Sequence, residues 1–230
     1  MGYDLIAEAF DRHVRGEPVM HQLSISALLE LCGSGSRVLD LACGQGVLAR
    51  KLASRGYAVT GVDISRKLLN IGRDEEATTP LGVTYVEDDA GSLAKFADGS
   101  FDGVASNLAI SDIDDLPASM KSVARVLKPE GWFVFAFPHP CFYAPYARWI
   151  EADGQKGKLV TQYFEEGRWW PKNAEVRLLG QLGAHHRTLS TVLNSVVEAG
   201  MVLDRIAEPE ATYVTLAEIL VVRAIKRSDT

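Results

Sequence analysis

Between Arg37 and Phe137 the sequence alternates short, almost wholly apolar runs with longer stretches of helical periodicity, and that alternation admits few folds. Runs that are apolar on both faces suit strands covered on both sides, and strands separated by helices pair in parallel. The pattern predicts strands at 37–42, 58–64, 83–87, 101–108 and 132–137. Helices are expected at about 45–55, from a Ser65 cap to about Thr78, and at 117–127, the last stopped by Pro129-Glu130-Gly131. Together these segments describe an open, doubly wound α/β sheet.

The two ends of the chain read differently. Tyr3 to Leu31 is expected as amphipathic helix in two pieces, broken at Gly16 to Pro18, and 1–31 is expected to form a helical cap. After a helix at 190–199, β-rich runs at 201–207 and 218–225 are too close for a helical crossover, so an antiparallel C-terminal pair is expected. The sheet does not need the aromatic and turn-rich stretch 138–187, which is expected as a substrate cap over the strand ends. A length of 230 residues suits one domain, 1–230, carrying these additions.

In an open α/β sheet, ligands sit beyond the carboxyl ends of the strands. The first strand leads into Asp40-Leu41-Ala42-Cys43-Gly44-Gln45-Gly46, where small residues let backbone approach a ligand and the next helix offers free N–H groups. Gly44-x-Gly46-x-x-Ala49 also fits a dinucleotide fingerprint, so an NAD-dependent oxidoreductase is one reading. Asp40 argues against it, because a carboxylate there repels a pyrophosphate and suits an ammonium group. Asp63 closes the second strand, where a carboxylate accepts from a ribose diol. Asp89 closes the third, where it can accept from an adenine amino group while the Ala90 N–H faces a ring nitrogen. Acids on successive strands suggest a neutral or cationic adenosine ligand.

These stretches resemble the class I S-adenosylmethionine-dependent methyltransferases, and within them the small-molecule enzymes of the type 11 group. The resemblance runs through Val38-Leu39-Asp40-Leu41-Ala42-Cys43-Gly44-Gln45-Gly46, Gly61-Val62-Asp63-Ile64-Ser65, Glu87-Asp88-Asp89-Ala90-Gly91-Ser92-Leu93, Ser100 to Leu108 and Arg125 to Gly131. It implies a mostly parallel, seven-stranded Rossmann-like sheet and S-adenosylmethionine as cofactor. It further implies that Asp40 and the loop around Gly44 and Gly46 hold the methionine, Asp63 the ribose, Ile64 and Leu68 the adenine face, and Asp89 and Ala90 its polar edge. Asn107 and Leu108 would lie beside the transferring methyl, and Tyr3 would reach the cofactor from the first helix. Ala42 stands where the family usually has a glycine.

The resemblance implies transfer of a methyl group to an oxygen or nitrogen of a small aromatic or apolar metabolite. A base is needed only if the acceptor must lose a proton, and His139 and His186 are the candidates, with His185 behind them. His139, Cys141 and His186 match no standard metal spacing, so no metal site is expected. Phe142, Tyr143, Tyr146, Trp149, Tyr163, Phe164, Trp169 and Trp170 are either an acceptor pocket or the cap's own core. His13 and His21 are expected at the surface or in the core. The acidic runs Asp74 to Glu76 and Asp112 to Asp115 are expected as solvated faces or helix-start acids.

Lys and Arg number 24 against 30 Asp and Glu, a formal net charge of −6, which disfavours a nucleic acid partner. The 3 cysteines suggest no disulfide framework, and no run is long enough to span a membrane, so a cytoplasmic protein is expected. Oligomeric state is not legible. A protein that binds S-adenosylmethionine without transferring its methyl group remains a third reading, because no base is indispensable.

Overall fold

The computed structural model describes residues 2–16, 18–170, 182–210 and 216–228. The stretch 171–181 of the expected cap lies outside the described residues. Helices α1 (Gly2–Arg15) and α2 (Val19–Leu31) precede β1 (Arg37–Leu41), α3 (Val47–Ala53), β2 (Ala58–Asp63), α4 (Arg66–Thr78), β3 (Thr84–Glu87), β4 (Phe101–Asn107), α5 (Leu116–Val126) and β5 (Leu127–Pro138). Then come β6 (Arg148–Ala152), β7 (Gln155–Leu159), β8 (Gly167–Trp169), β9 (Ala184–His186), α6 (Leu189–Glu198), β10 (Met201–Ala207) and β11 (Ile219–Lys226). Seven strands form one sheet in the order β10-β11-β5-β4-β1-β2-β3. Strand β11 runs antiparallel to both neighbours and the pairs among β1 to β5 are parallel, so the C-terminal pair is antiparallel as the short connection required.

Strand β5 shows why the sheet is covered twice. Its side chains alternate with the period of two that a pleated strand imposes. Phe133, Phe135 and Phe137 stack in a row, neighbouring ring centroids 4.7 and 5.6 Å apart, and pack with Met120, Val123, Val192 and Val196 of α5 and α6. Trp132, Val134 and Ala136 point the other way, into a core with Leu28 and Leu31 of α2 and Leu48 and Leu52 of α3. Trp132 is accommodated because residue 103 is glycine: a Cβ there would stand 2.1 Å from Trp132 Cε2.

The start of β5 differs from expectation. The helix ends at Val126 and the backbone is already extended from Leu127, five residues before the predicted strand. Leu127 pairs with Phe101 and Trp132 with Gly103, so Lys128 to Gly131 bulge out of the ladder, with Glu130 at φ 62°. Asp102 stabilises this end of the sheet. It accepts from the Ser36 and Arg37 N–H groups at 2.9 and 2.8 Å and pairs with Lys128, contacts that hold its carboxyl well below the usual range.

The described residues of 139–188 contribute no strand to the large sheet. They form two small antiparallel sheets, β6 with β7 and β8 with β9. Glu166 fastens the second to α6, accepting from the Thr188 N–H at 2.7 Å, the Thr188 hydroxyl at 2.6 Å and the Thr191 hydroxyl at 2.6 Å. Helix α1 docks at the other side: Asp4 accepts from the Ser65 hydroxyl at 2.7 Å and the Lys67 N–H at 3.1 Å, while the same Ser65 oxygen caps α4.

One acidic run is not a solvated face. Glu75 pairs with Arg15 and Arg50, and Glu76 pairs with Arg50 and accepts N–H groups of the turn before β3. These carboxylates tie α1, α3 and the 81–83 turn to α4.

Candidate functional site

The order of the sheet reverses between β1 and β4, which opens a crevice at their carboxyl ends. A cleft of about 1920 Å³ opens there, roofed by α1, α2 and the two small sheets. That exceeds the few hundred to 1,000 Å³ of an ordinary single-ligand pocket, so the cleft has room for two ligands side by side.

The β1–α3 loop is built for close approach. Ala42, Gly44 and Gly46 have φ of 53°, 57° and 90°. The Ala42 position thus keeps a glycine-like backbone while carrying a methyl group, at a cost of about 1–2 kcal/mol. The Gly44 N–H donates to Asp63 Oδ2 at 2.8 Å and the Ser65 N–H to Asp63 Oδ1 at 2.7 Å, which fixes the β2 carboxylate against the loop. Burial nevertheless pushes the Asp63 carboxyl above its usual range.

Asp40 lies deeper. It is buried, its carboxyl is pushed well up by that burial against the opposing pull of the Ala49 N–H, and Oδ2 has no hydrogen-bond partner. Asn107 at the end of β4 likewise leaves Oδ1 buried and unpartnered. Each such group costs about 1–3 kcal/mol unless something fills its valence. Both line the cleft, and both can accept from a cationic group between them.

At the end of β3 the two neighbouring acids divide their work. Asp88 gives both oxygens to backbone, accepting from the Asp89 and Lys95 N–H groups at 2.9 and 2.8 Å. Asp89 uses only Oδ1, for the Gly91 N–H at 2.7 Å, which leaves Oδ2 for a ligand. Ala90, Leu68 and Leu108 line the same cleft, as does Ile64, an aliphatic side chain 59% exposed where an apolar ligand face could cover it.

Two expected site residues stand elsewhere. Gly46 is off the cleft wall: a Cβ there would meet Tyr85 Oη at 2.2 Å, so its smallness serves packing. His139 is also off the wall, though Pro138 and Pro140 beside it line the cleft. Its Nδ1 accepts from the Cys141 N–H at 3.2 Å and its Nε2 donates to Glu208 at 3.0 Å, so the ring has no free lone pair for a substrate proton. Burial outweighs Glu208 and lowers its pKa. His186 does line the cleft; its Nε2 donates to the Tyr163 carbonyl at 2.8 Å, which leaves Nδ1 as the basic atom.

Tyr3 reaches the cleft from α1, and its hydroxyl donates to Asp112 Oδ2 at 2.8 Å. The run 112–115 is expected as a solvated face or as helix-start acids; Asp115 does cap α5, accepting from the Ala118 N–H, but burial raises the Asp112 carboxyl to about 7. Sequence reading missed it because an acid run in a loop carries no periodicity. The same loop is fastened to β8 and β9. Asp114 accepts from Arg168 and from His185 Nε2, both at 2.8 Å, and Arg187 donates to the carbonyls of Ile110, Ile113 and Asp114.

The cap aromatics divide. Phe142, Tyr143, Tyr146, Trp149, Trp169 and Trp170 line the cleft; Tyr163 and Phe164 do not. Lys158, 9% exposed, sits 4.9 Å from the Trp149 ring centroid and pairs with Glu218 at 3.1 Å. His13 and His21 also line the cleft, ring centroids 6.4 Å apart, and burial lowers His21 to about 4. Among the described residues, no three His, Cys, Asp or Glu side chains gather as a metal site, and no helix is long and apolar enough to cross a membrane.

A switch-point cleft with carboxylates on successive strand ends defines a nucleoside-binding α/β enzyme. Residues 39–135 match the family described as Methyltransferase domain. A ubiquinone biosynthesis O-methyltransferase from Paracidovorax citrulli is 36% identical over 104 residues, 44% of this chain and 43% of that protein. A malonyl-[acyl-carrier protein] O-methyltransferase from Erwinia pyrifoliae is 36% identical over 45% of this chain and 38% of its own length. The matched stretch thus spans less than half of these curated relatives. An S-adenosylmethionine-dependent methyltransferase from Mesorhizobium loti superposes with a TM-score of 0.75 at 29% identity, over 87% of this chain and 96% of that one. Residues 39–135 match a methyltransferase domain of the type 11 group, the fold matches that of S-adenosylmethionine-dependent methyltransferases, and S-adenosylmethionine is the cofactor these matches support. The match over 39–135 sets aside the dehydrogenase reading of Gly44-x-Gly46-x-x-Ala49. The residues present suit that cofactor: the unpartnered Asp40 Oδ2 and Asn107 Oδ1 await a cation.

Proposed function

We propose that this protein transfers a methyl group from S-adenosylmethionine to an oxygen or nitrogen of a small aromatic or apolar metabolite. The observation that carries the reading is the buried, unpartnered Asp40 Oδ2 at the switch point, with Asp63 and Asp89 following along the same crevice. Asp40 and Asn107 hold the cationic end of the amino acid, Asp63 the ribose, Ile64 and Leu68 the adenine face, and Asp89 with Ala90 its polar edge. When bound, S-adenosylmethionine supplies a methyl group on a positively charged sulfur, already activated for in-line displacement.

The chain's own contribution is alignment and exclusion of water. Helix α1, held by Asp4 on α4 and by Tyr3 on Asp112, closes the cleft from above. Tyr143, Trp149 and Trp169 offer planar faces for an acceptor, which supports an aromatic or apolar substrate. His186 Nδ1 takes the acceptor's proton where one must leave, and the Asp112 carboxylate is a second proton acceptor on the same wall. A small-molecule acceptor accords with the size of the cleft.

Incubation with methyl-labelled S-adenosylmethionine and a pool of hydroxy- and amino-arenes tests the proposal. Label is expected in a small-molecule product, and Asp40→Ala is expected to abolish it. Cofactor binding without label transfer to any member of the pool would favour a non-catalytic binding protein.

A further inference from the structure

The cap side of the cleft holds a charged pair whose hydrogen-bonding capacity the fold does not use up. Lys158 stands on β7 opposite Trp149 of β6, and Glu218 stands just before β11, its backbone carbonyl fixed by the His139 N–H at 2.8 Å. Both line the cleft, with side chains 9% and 26% exposed. Lys158 Nζ donates to Glu218 Oε1 at 3.1 Å and lies 4.9 Å from the Trp149 ring centroid and 6.0 Å from that of Tyr143. Among the described residues that is the one hydrogen bond of an ammonium with three donors, and Glu218 Oε2 accepts none. A pair so far withdrawn from water offsets its desolvation only when its remaining donors and lone pairs are filled, and its open side is the cleft. The neighbouring cations are committed or outside: Arg168 to Asp114 and the Leu182 carbonyl, Arg187 to three loop carbonyls, and Arg148 exposed on β6.

Position says which part of a ligand meets the pair. Strand β4 pairs with β5, and β5 with β11, where Ile219 lies opposite Pro138. Two strand spacings, roughly 10 Å, therefore separate Glu218 from the end of β4, the place of the transferring methyl on the reading above. Lys158 and Glu218 thus face the far end of an acceptor, away from its reacting atom. Chemistry says what that end carries. The ammonium needs an acceptor and the carboxylate oxygen needs a donor, and one hydroxyl is both. A carboxylate there would face Glu218 and an ammonium would face Lys158, so the balanced pair discriminates against either charge. The rings of Tyr143, Trp149 and Trp169 wall the same side of the cleft, the first and last with centroids 6.2 Å apart. Resting on the methyl-transfer reading above, we propose that Lys158 and Glu218 select an uncharged acceptor, a flat aromatic compound with a hydroxyl at the end remote from the methylated atom. Both are specificity residues and neither touches the cofactor.

Calorimetry on the full chain saturated with S-adenosylhomocysteine tests this with three probes of one shape. They are 2,6-dihydroxynaphthalene; 2-naphthol, which lacks the second hydroxyl; and 6-hydroxy-2-naphthoate, which carries a carboxylate in its place. The unaltered chain is expected to bind the diol about 10-fold more tightly than either of the others, the worth of one hydrogen bond to a charged group. Lys158→Met is expected to bring the diol and 2-naphthol within about 2-fold of each other. Glu218→Gln leaves the ammonium uncompensated and is expected to reverse the order, the naphthoate now binding best, which a merely structural role for the pair would not produce. Unchanged affinity for S-adenosylhomocysteine shows that each variant is folded; its loss in both variants would assign the pair to the fold and overturn the proposal. Equal binding of the three probes, binding of none, or an order that survives Glu218→Gln would overturn it while leaving the cofactor reading intact. Failure of the unaltered chain to bind S-adenosylhomocysteine would overturn the cofactor reading, and this inference with it.

Discussion

The strand-end half of the cleft and its cap half are held by different forces. At the ends of β1, β2 and β3 the backbone does the holding: Ala42 and Gly44 in the left-handed region, Gly44 and Ser65 N–H groups on Asp63, and the Gly91 N–H on Asp89. In the cap, side chains do it, through Arg168 and His185 on Asp114, Arg187 on loop carbonyls and Glu166 on Thr188. On the proposed reading, the cofactor is met by parts of the chain that cannot move without breaking the sheet. On the same reading, the acceptor is met by parts fastened through replaceable side chains, where specificity can change while the sheet stays intact.

One substitution made in both halves should expose the contrast most strongly. Gly46→Ala puts a Cβ into Tyr85 at a φ of 90°, and a loss of about 2–5 kcal/mol is expected. Gly157→Ala on β7 meets nothing within 4 Å, and its melting temperature should stay within about 1 °C of the parent. Equal effects in thermal unfolding would break the distinction.

Asp112 sits where the halves meet and gives the pH dependence. Its carboxyl is raised from 3.8 to about 7 in the folded chain, so the native state binds more protons than the unfolded one between those values. Its contribution is therefore fully present below about pH 4 and lost as pH rises through about 7. Asp112→Asn keeps an acceptor for Tyr3 and removes the charge, and should raise the melting temperature at pH 7.5 by about 5 °C while changing little at pH 4. Unfolding scans at the two pH values check it; equal shifts at both would refute the linkage.

Loosening the cap should matter less to the cofactor half. Glu166→Ala removes the acceptor for three donors and is expected to cost about 1 kcal/mol, with nucleoside affinity unchanged in calorimetry. The Glu166 carboxyl is held below its usual range by these donors, so its contribution is present above about pH 4.5 and fades as pH falls through the lower folded value. Ala42→Gly should give a small effect of opposite sign, a gain of up to about 1 kcal/mol by relieving the left-handed backbone, read as a rise of a few degrees in melting temperature.

The same division decides what could be read from the sequence. Strands β1 to β4 were legible because apolar runs punctuated by Asp40, Asp63, Asp89 and Asn107 carry a period and an end signal together. The early start of β5 was not, since Pro129-Glu130-Gly131 reads equally as a helix stop or as a bulge. Gly46 was assigned to the ligand because a glycine's need for space does not say which neighbour takes the space. His139 had the right chemistry at a strand end, but the residue that consumes its Nε2, Glu208, lies 69 positions away. Asp112 and Arg168 were invisible for the same reason: their roles come from contacts made across the cap, which leave no pattern along the chain.

Calorimetric titration of S-adenosylhomocysteine into the unaltered chain and Asp63→Ala tests the central claim most directly. The account predicts one-to-one binding to the former and a loss of about 100-fold in the latter, the two ribose hydrogen bonds gone. Absence of binding to the unaltered chain, or equal binding to both, would contradict it.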